Sequence, residues 1–219
     1  MTTPNRTLAL GLVLVAGLAF LVGQATRPMG VVNAAPAAQP DDSMPSMPGF
    51  SPEDMARMAM LGQPNENHEH LAAMLGTWEG VMRWRPAPEA DFLEFPGVAT
   101  REWVLDGRFI REVVKAEAPG GGGFEGVGYV GYNNFDNRYE SIWMENMSTG
   151  VMHGYGVYNP ETKVFTFYGD RRDPMSGRMI ATWSEMDMSD PDRHVLKGWE
   201  FGPDGAPFQN AEGVFTRRD

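Results

Sequence analysis

The hydrophobic rhythm of the chain changes three times. Behind a single charge, Arg6, an unbroken apolar run of 15 residues extends from Leu8 to Val22. From Thr26 to about Gly49 the residues are Pro-, Ala- and Met-rich, with Asp41-Asp42 and no apolar period. Ser51-Pro52-Glu53-Asp54 then supplies an N-cap, a proline suited to the first helical position and an acidic first turn. That pattern predicts a short helix to about Leu61, stopped by Gly62 and Pro64. A second short helix, about residues 66–75, places Leu71, Met74 and Leu75 on one face.

After Gly76 the period becomes two. Short runs rich in Val, Tyr, Phe and Trp predict strands near 78–85, 98–105, 109–116, 124–133, 138–146, 151–158, 164–168, 179–185, 193–201 and 208–217. The separators are turn chemistry. Asp106-Gly107 is a two-residue hairpin signal, and Asn134 to Asn137, Asn159 to Thr162 and Pro203-Asp204-Gly205 are longer turns. No connection is long or helical enough for a parallel crossover. The expected fold is therefore all-β, an antiparallel up-and-down barrel of about ten strands with one or two short N-terminal helices. Closing the barrel removes its free edges; a two-sheet sandwich is the alternative. The organisation follows as a signal peptide over 1–25, a disordered tether over 26–50, a short helix and linker over 51–64, and the barrel over 65–219.

Residues 1–25 read as an export signal. The apolar run is shorter than the roughly 20 residues of a membrane span, and Gly23-Gln24-Ala25 offers small residues for cleavage. A periplasmic or extracellular destination follows, with no membrane attachment after cleavage; an uncleaved N-terminal anchor is the alternative. Composition narrows the chemistry. The chain has 219 residues, 18 Lys plus Arg against 29 Asp plus Glu, and a net charge of −11. That balance disfavours nucleic acid and anionic membrane as partners. The absence of cysteine excludes disulfides, thiolate metal sites and cysteine nucleophiles.

Several motifs invite a functional reading and carry little. Gly126-Val127-Gly128-Tyr129-Val130-Gly131 matches a dinucleotide fingerprint, but it lies inside a strand and precedes another strand, where a phosphate site needs a helix. Two imidazoles in His68-Glu69-His70 point about 200° apart on a helix and share no metal; a capping or surface role suits His70. His153 and His194 are scattered. Met44, Met47, Met55, Met58 and Met60 are soft donors suited to Cu(I), although adaptable apolar packing explains them as well. Asp187, Asp190 and Asp192 lack the spacing of a calcium loop and read as a solvated turn. No metal and no cofactor is expected.

Carboxylates within the strand pattern are more informative. Glu145 alternates with Trp143 and Tyr139, Glu200 with Leu196, and Glu212 with Asn210 and Phe208. If those faces point inward, Tyr139, Trp143, Glu145, Glu200 and Glu212 line a lumen of rings and acids, which is how small-molecule pockets are built. The competing reading makes these acids surface partners of Arg101, Arg111 or Lys197. Alternation alone leaves the two open.

From about residue 66 to 218 the sequence resembles the bacterial domain of unknown function 1579 family. The resemblance rests on His70-Leu71, Leu75-Gly76-Thr77-Trp78, Leu105-Asp106-Gly107-Arg108-Phe109 and Phe124-Glu125-Gly126. It continues in Gly131-Tyr132-Asn133, Trp143 to Gly150 and Asp173-Pro174-Met175-Ser176-Gly177. Asn133 and Glu145 depart from the family's usual Asp, which weakens any claim of a metal or general base at either position. The resemblance implies a calycin-like barrel related to the lipocalins. It implies further that Trp78 enters the first strand and that Arg217, ending the last strand, covers its indole, a structural role for both.

Together these features point to an exported barrel that binds a small, partly apolar molecule without a catalytic step. An enzyme using lumen carboxylates, as a hydrolase or isomerase, is one alternative, and a packed structural or interaction domain is another. A haem-binding barrel, like the related nitrobindins, would need a proximal histidine that the sequence does not place.

Overall fold

The computed structural model describes residues 48–218. The segment over 1–25 expected to direct export, and nearly all of the expected tether, lie outside the described residues. Helix α1 (Pro52–Leu61) begins at a capping box in which Asp54 N–H donates to Ser51 Oγ at 3.1 Å and Ser51 N–H donates to Asp54 Oδ2 at 3.0 Å. Helix α2 (Glu66–Leu71) runs into a single 3₁₀ turn over Ala72–Met74.

Ten strands follow: β1 (Gly76–Trp84), β2 (Leu93–Val104), β3 (Phe109–Glu117), β4 (Gly123–Asn133), β5 (Arg138–Glu145), β6 (Met152–Asn159), β7 (Val164–Arg172), β8 (Met179–Asp190), β9 (Arg193–Phe201) and β10 (Pro207–Arg218). Each pairs antiparallel with the next, and β1 also pairs with β10 from Thr77 opposite Arg218 to Trp84 opposite Ala211. The sheet is thus a closed meander barrel, and the sandwich alternative is excluded.

The strands are longer than the sequence predicts in three places, and in each the added residues look like turn. Leu93 to Gly97, with Pro96 and Gly97, extends β2 backwards. Pro96 is opposite Val81 of β1, while pairing with β3 starts only at Gly97. With a partner on one side only, a residue lacking N–H is tolerated in a strand. Strand β7 continues through the charged Asp170-Arg171-Arg172, and β8 runs on to Asp190. Elsewhere the turn chemistry operates as expected. Asp106 and Gly107 both take positive φ, at 54° and 81°, and Arg108 N–H closes the turn on the Leu105 carbonyl.

The up-and-down path gives the barrel two unlike ends. At one, the turns over 105–108, 134–137, 160–163 and 191–192 are short, and the helices sit there. Asn134 Nδ2 donates to the carbonyls of Leu61 and Gln63, and Arg108 donates to the Gly62 carbonyl, tying the end of α1 to two of those turns. The other end carries longer connections over 85–92, 118–122, 146–151, 173–178 and 202–206. We call these the helix end and the loop end.

Two buried clusters fill most of the interior. Leu71, Met74, Ile110, Tyr139, Phe165 and Met188 pack beneath α2. Trp78, Met82, Trp84, Phe95, Val114, Phe124, Trp143, Leu196 and Phe215 form the other. The glycines of the 126–131 motif serve this packing. A Cβ at Gly126 or Gly128 would stand 2.3 or 2.9 Å from Trp143 ring atoms, so the pair forms a seat for that indole.

One expectation fails here for a local reason. The register between β9 and β10 shifts between Gln209 and Ala211, so Asn210 is an extra, inward residue. This β-bulge moves everything after it to the opposite face. Asn210 and Ala211 are both buried, and Glu212 turns outward to an ion pair with Arg83. Glu212 is not a lumen residue.

Candidate functional site

The helix end of the lumen is sealed by rings. Trp78 is fully buried, stacks on His194 with centroids 3.5 Å apart, and donates Nε1–H to the Met74 carbonyl at 2.9 Å. The Arg217 guanidinium lies 4.2 Å from the indole centroid and donates to the carbonyls of Leu75 and Pro191. Gly76 makes room for it: its φ is +109°, and a Cβ there would stand 2.6 Å from Arg217 Nη1. Burial, reinforced by the nearby Arg101 and Arg217 charges, pulls the His194 pKa down to about 3, so the ring is neutral at pH 7.

Beside that seal, α2 caps the barrel through Tyr139. Its hydroxyl donates to the Asn67 carbonyl at 2.9 Å and lies 3.0 Å from His70 Nδ1, while His70 packs on Tyr158. Burial raises the Tyr139 pKa well above its ordinary value, so the hydroxyl keeps its proton. The capping role falls to His68, whose Nδ1 accepts from Asn65 N–H at 3.1 Å; His70 is instead a packing and hydrogen-bonding partner of the barrel.

Further toward the loop end the interior opens into a cavity of about 160 Å³. Its apolar walls include Met82, Trp143, Met152, Phe167, Met186 and Leu196. The space exists because Gly154 and Gly169 face each other across β6 and β7, with Gly198 nearby on β9. In register with the glycine pair stand Ser141 on one side and Thr182 on the other; Ser184 lies opposite Phe167 and Gly198. Arg101 and Glu112 also line the space and form a buried ion pair at 2.7 Å, with Arg101 Nη1 3.4 Å from His194 Nδ1. Asn210 contributes from the bulge. It donates Nδ2–H to Glu200 at 2.8 Å, and Glu200 takes Arg171 Nε and Nη2 on both oxygens at 2.8–3.0 Å.

A profile of one protein family matches residues 63–217, and its description is a protein of unknown function, DUF1579. The chain belongs to that family. A search of curated proteins finds no significant match. Two solved structures share the fold of this DUF1579 barrel. One is an S-type phycobiliprotein lyase, CPES, from Guillardia theta, with TM-score 0.51 and 12% identity, covering 74% of this chain and 97% of that one. The other is Rv2717c from M. tuberculosis, with TM-score 0.52 and 14% identity, covering 72% and 100%. At such identity they establish the calycin-like architecture alone.

The residues singled out from the sequence of this DUF1579 protein are placed as follows. Trp143 borders the cavity. Glu200 is buried inside and reaches the cavity through Asn210. Glu145 sits at the end of β5, half-buried, and accepts from Trp143 Nε1 at 3.3 Å. Tyr139 faces inward but belongs to the seal beneath α2. Glu212 is outside. Of the surface partners weighed for these acids, Arg111 instead binds Glu102 on the exterior and Arg101 is 4% exposed and internal, while Glu200 pairs with Arg171 and Glu212 with Arg83.

Sequence reasoning missed Arg101, Glu112, Arg171, His194 and the glycine pair. Arg171 was in principle visible, since Phe165, Phe167, Gly169 and Arg171 share one alternating phase. Among the described residues no group of three or more acids or histidines is arranged to hold a metal. Asp187 and Asp190, expected in a solvated turn, lie in β8 at either side of its register shift against β9 and accept from the backbone two residues on; Asp192, in the turn that follows, pairs with Arg217. A larger concavity on the outer wall, beside Val81, Pro96, Val195 and Val214, covers a ligand from one side only, whereas small-molecule sites enclose most of the ligand.

Proposed function

We propose that this protein is an exported barrel that binds one small, partly apolar molecule in its lumen without transforming it. The cavity beside Gly154 and Gly169 carries the reading. A chamber of about 160 Å³ walled by Met, Leu, Phe and Trp side chains with a few convergent polar groups offers a small molecule apolar surface to bury and groups to orient it. A void of that size matches one small ring, since a dry cavity of about 150 Å³ accommodates benzene. The inward carboxylates Glu112 and Glu200 are each engaged by a guanidinium, which favours a supporting role over acid–base work. Export rests on Arg6, the Leu8–Val22 run and the small residues before Thr26.

Native mass spectrometry of protein purified gently from its own host tests the binding reading. The expected spectrum shows one small molecule per chain, absent from a Gly154→Leu variant that fills the chamber. Bare chain from the host, unchanged after soaking with single-ring compounds, would contradict it. In the same sample, a chain starting at Thr26 supports export, and an intact Met1 contradicts cleavage.

A further inference from the structure

Resting on that reading, we infer that the lumen selects an uncharged, single-ring molecule carrying a hydrogen-bonding substituent, and rejects both charged ligands and bare hydrocarbons. The polar atoms facing the chamber make the case. Ser141, Thr182 and Ser184 line it, and none of their hydroxyls has a hydrogen-bond partner among the described residues. Asn210 spends Nδ2 on Glu200 and leaves Oδ1 without a described partner. Arg101, which also lines the chamber, uses Nε on Glu112 and Nη1 toward His194, and its Nη2 has no described partner. Hydroxyls both donate and accept, so a phenol, an alcohol or a carbonyl finds a complement among them.

The charges inside exclude the alternatives. Arg101 is matched by Glu112, and Arg171 by Glu200, so neither ion is left over to neutralise a ligand carboxylate or ammonium. His194 is neutral and adds no charge. Asp170, at the chamber's edge, is exposed to solvent, so a ligand ion would enter the interior without a buried counter-charge, which is heavily penalised. A bare hydrocarbon satisfies the Met, Leu and Phe walls but leaves the hydroxyls unpaired. Sites built to hydrogen-bond a substituent discriminate strongly against the analogue that lacks it.

Four probes of similar size separate the outcomes: phenol, benzene, benzoate and benzylamine, the last two ionised at pH 7. Affinities are read by ligand-observed NMR on the purified chain. Phenol should bind at least about ten-fold more tightly than benzene, and the two ions at least about ten-fold more weakly than phenol. In the triple variant Ser141→Ala, Thr182→Val, Ser184→Ala, the phenol-to-benzene ratio should fall to within about two-fold of unity. If the triple variant does not fold, Thr182→Val alone should reduce the ratio by about three-fold. Equal binding of phenol and benzene, tightest binding of either ion, or a ratio unmoved by these substitutions overturns the inference while leaving the chamber intact. Binding of none of the four overturns the chamber itself, and with it the proposed function.

Discussion

The two ends of the lumen share one wall and are built in opposite ways. At the helix end the inward positions are rings and long side chains in mutual contact: Trp78 lies against His194 and beneath Arg217, and Tyr139 meets Phe165 edge-on at 5.1 Å. Toward the loop end the inward positions of β6, β7 and β9 shrink to Gly154, Gly169 and Gly198, and the polar atoms beside them face space. A barrel is closed by bulk and opened by its removal. The contrast also separates two uses of polarity. At the sealed end the Trp78 Nε1, Tyr139 and Arg217 donors are spent on backbone carbonyls, whereas in the chamber three hydroxyls are left for an occupant.

The sharpest way to break the contrast is to empty the sealed end. Trp78→Ala removes a fully buried indole and should cost roughly 3–5 kcal/mol in chemical denaturation. A loss below about 1 kcal/mol would mean that the seal is not the packed half of the barrel.

Acid acts on the same seal through His194. Its folded pKa of about 3 lies below the ordinary 6.5, so the unfolded chain binds the proton first. The neutral ring's contribution is therefore complete above pH 6.5. It is lost as pH falls toward 3, at up to about 1.4 kcal/mol per pH unit. Wild type and His194→Phe should therefore differ in stability by a pH-dependent amount, with the phenylalanine variant gaining relative to wild type below pH 6.5. Subtraction removes the titration of the carboxylates common to both chains. Parallel stability curves would contradict the buried, neutral histidine.

A smaller effect is expected from the covering cation. Arg217→Ala should cost roughly 1–2 kcal/mol from lost cation–π contact and packing. Because the two side chains touch, Trp78→Ala with Arg217→Ala should cost less than the sum of the single changes. Strict additivity would show that the contact carries no energy. Smallest of all should be Ser184→Ala in the chamber, within about 0.5 kcal/mol of wild type, since its hydroxyl has no described partner to lose.

The fold was legible because strand period, hairpin chemistry and short connections all agree, from the Asp106-Gly107 turn to the alternation of Trp78, Met82 and Trp84. The extensions of β2, β7 and β8 were not, because Pro96-Gly97 and Asp170-Arg171-Arg172 resemble turns until a neighbouring strand pairs with them. The site was legible only in fragments. Alternation grouped Trp143 with Tyr139 and Glu200 with Leu196 without telling which face was inward, and a single bulge at Asn210 separated Glu212 from Asn210, with which it had been grouped. Arg101, Glu112 and Arg171 were hidden because charged residues in strands ordinarily face water. Gly154 and Gly169 lie 15 positions apart in the chain, and only the β6–β7 register makes them one opening.

Xenon diffraction addresses the central claim, a hollow chamber opposite a sealed end. Protein refolded from denaturant, and so stripped of retained molecules, would be crystallised and pressurised with the gas. Xenon occupies apolar cavities of this size. The account predicts a single site under pressure, weaker than in a wholly apolar cavity because the chamber's hydroxyls favour a hydrogen-bonding occupant, against the Gly154–Gly169 pair and within contact of Met186 and Leu196, and none between Trp78 and Tyr139. A lumen free of xenon, with side chains closed over the two glycines, would contradict it.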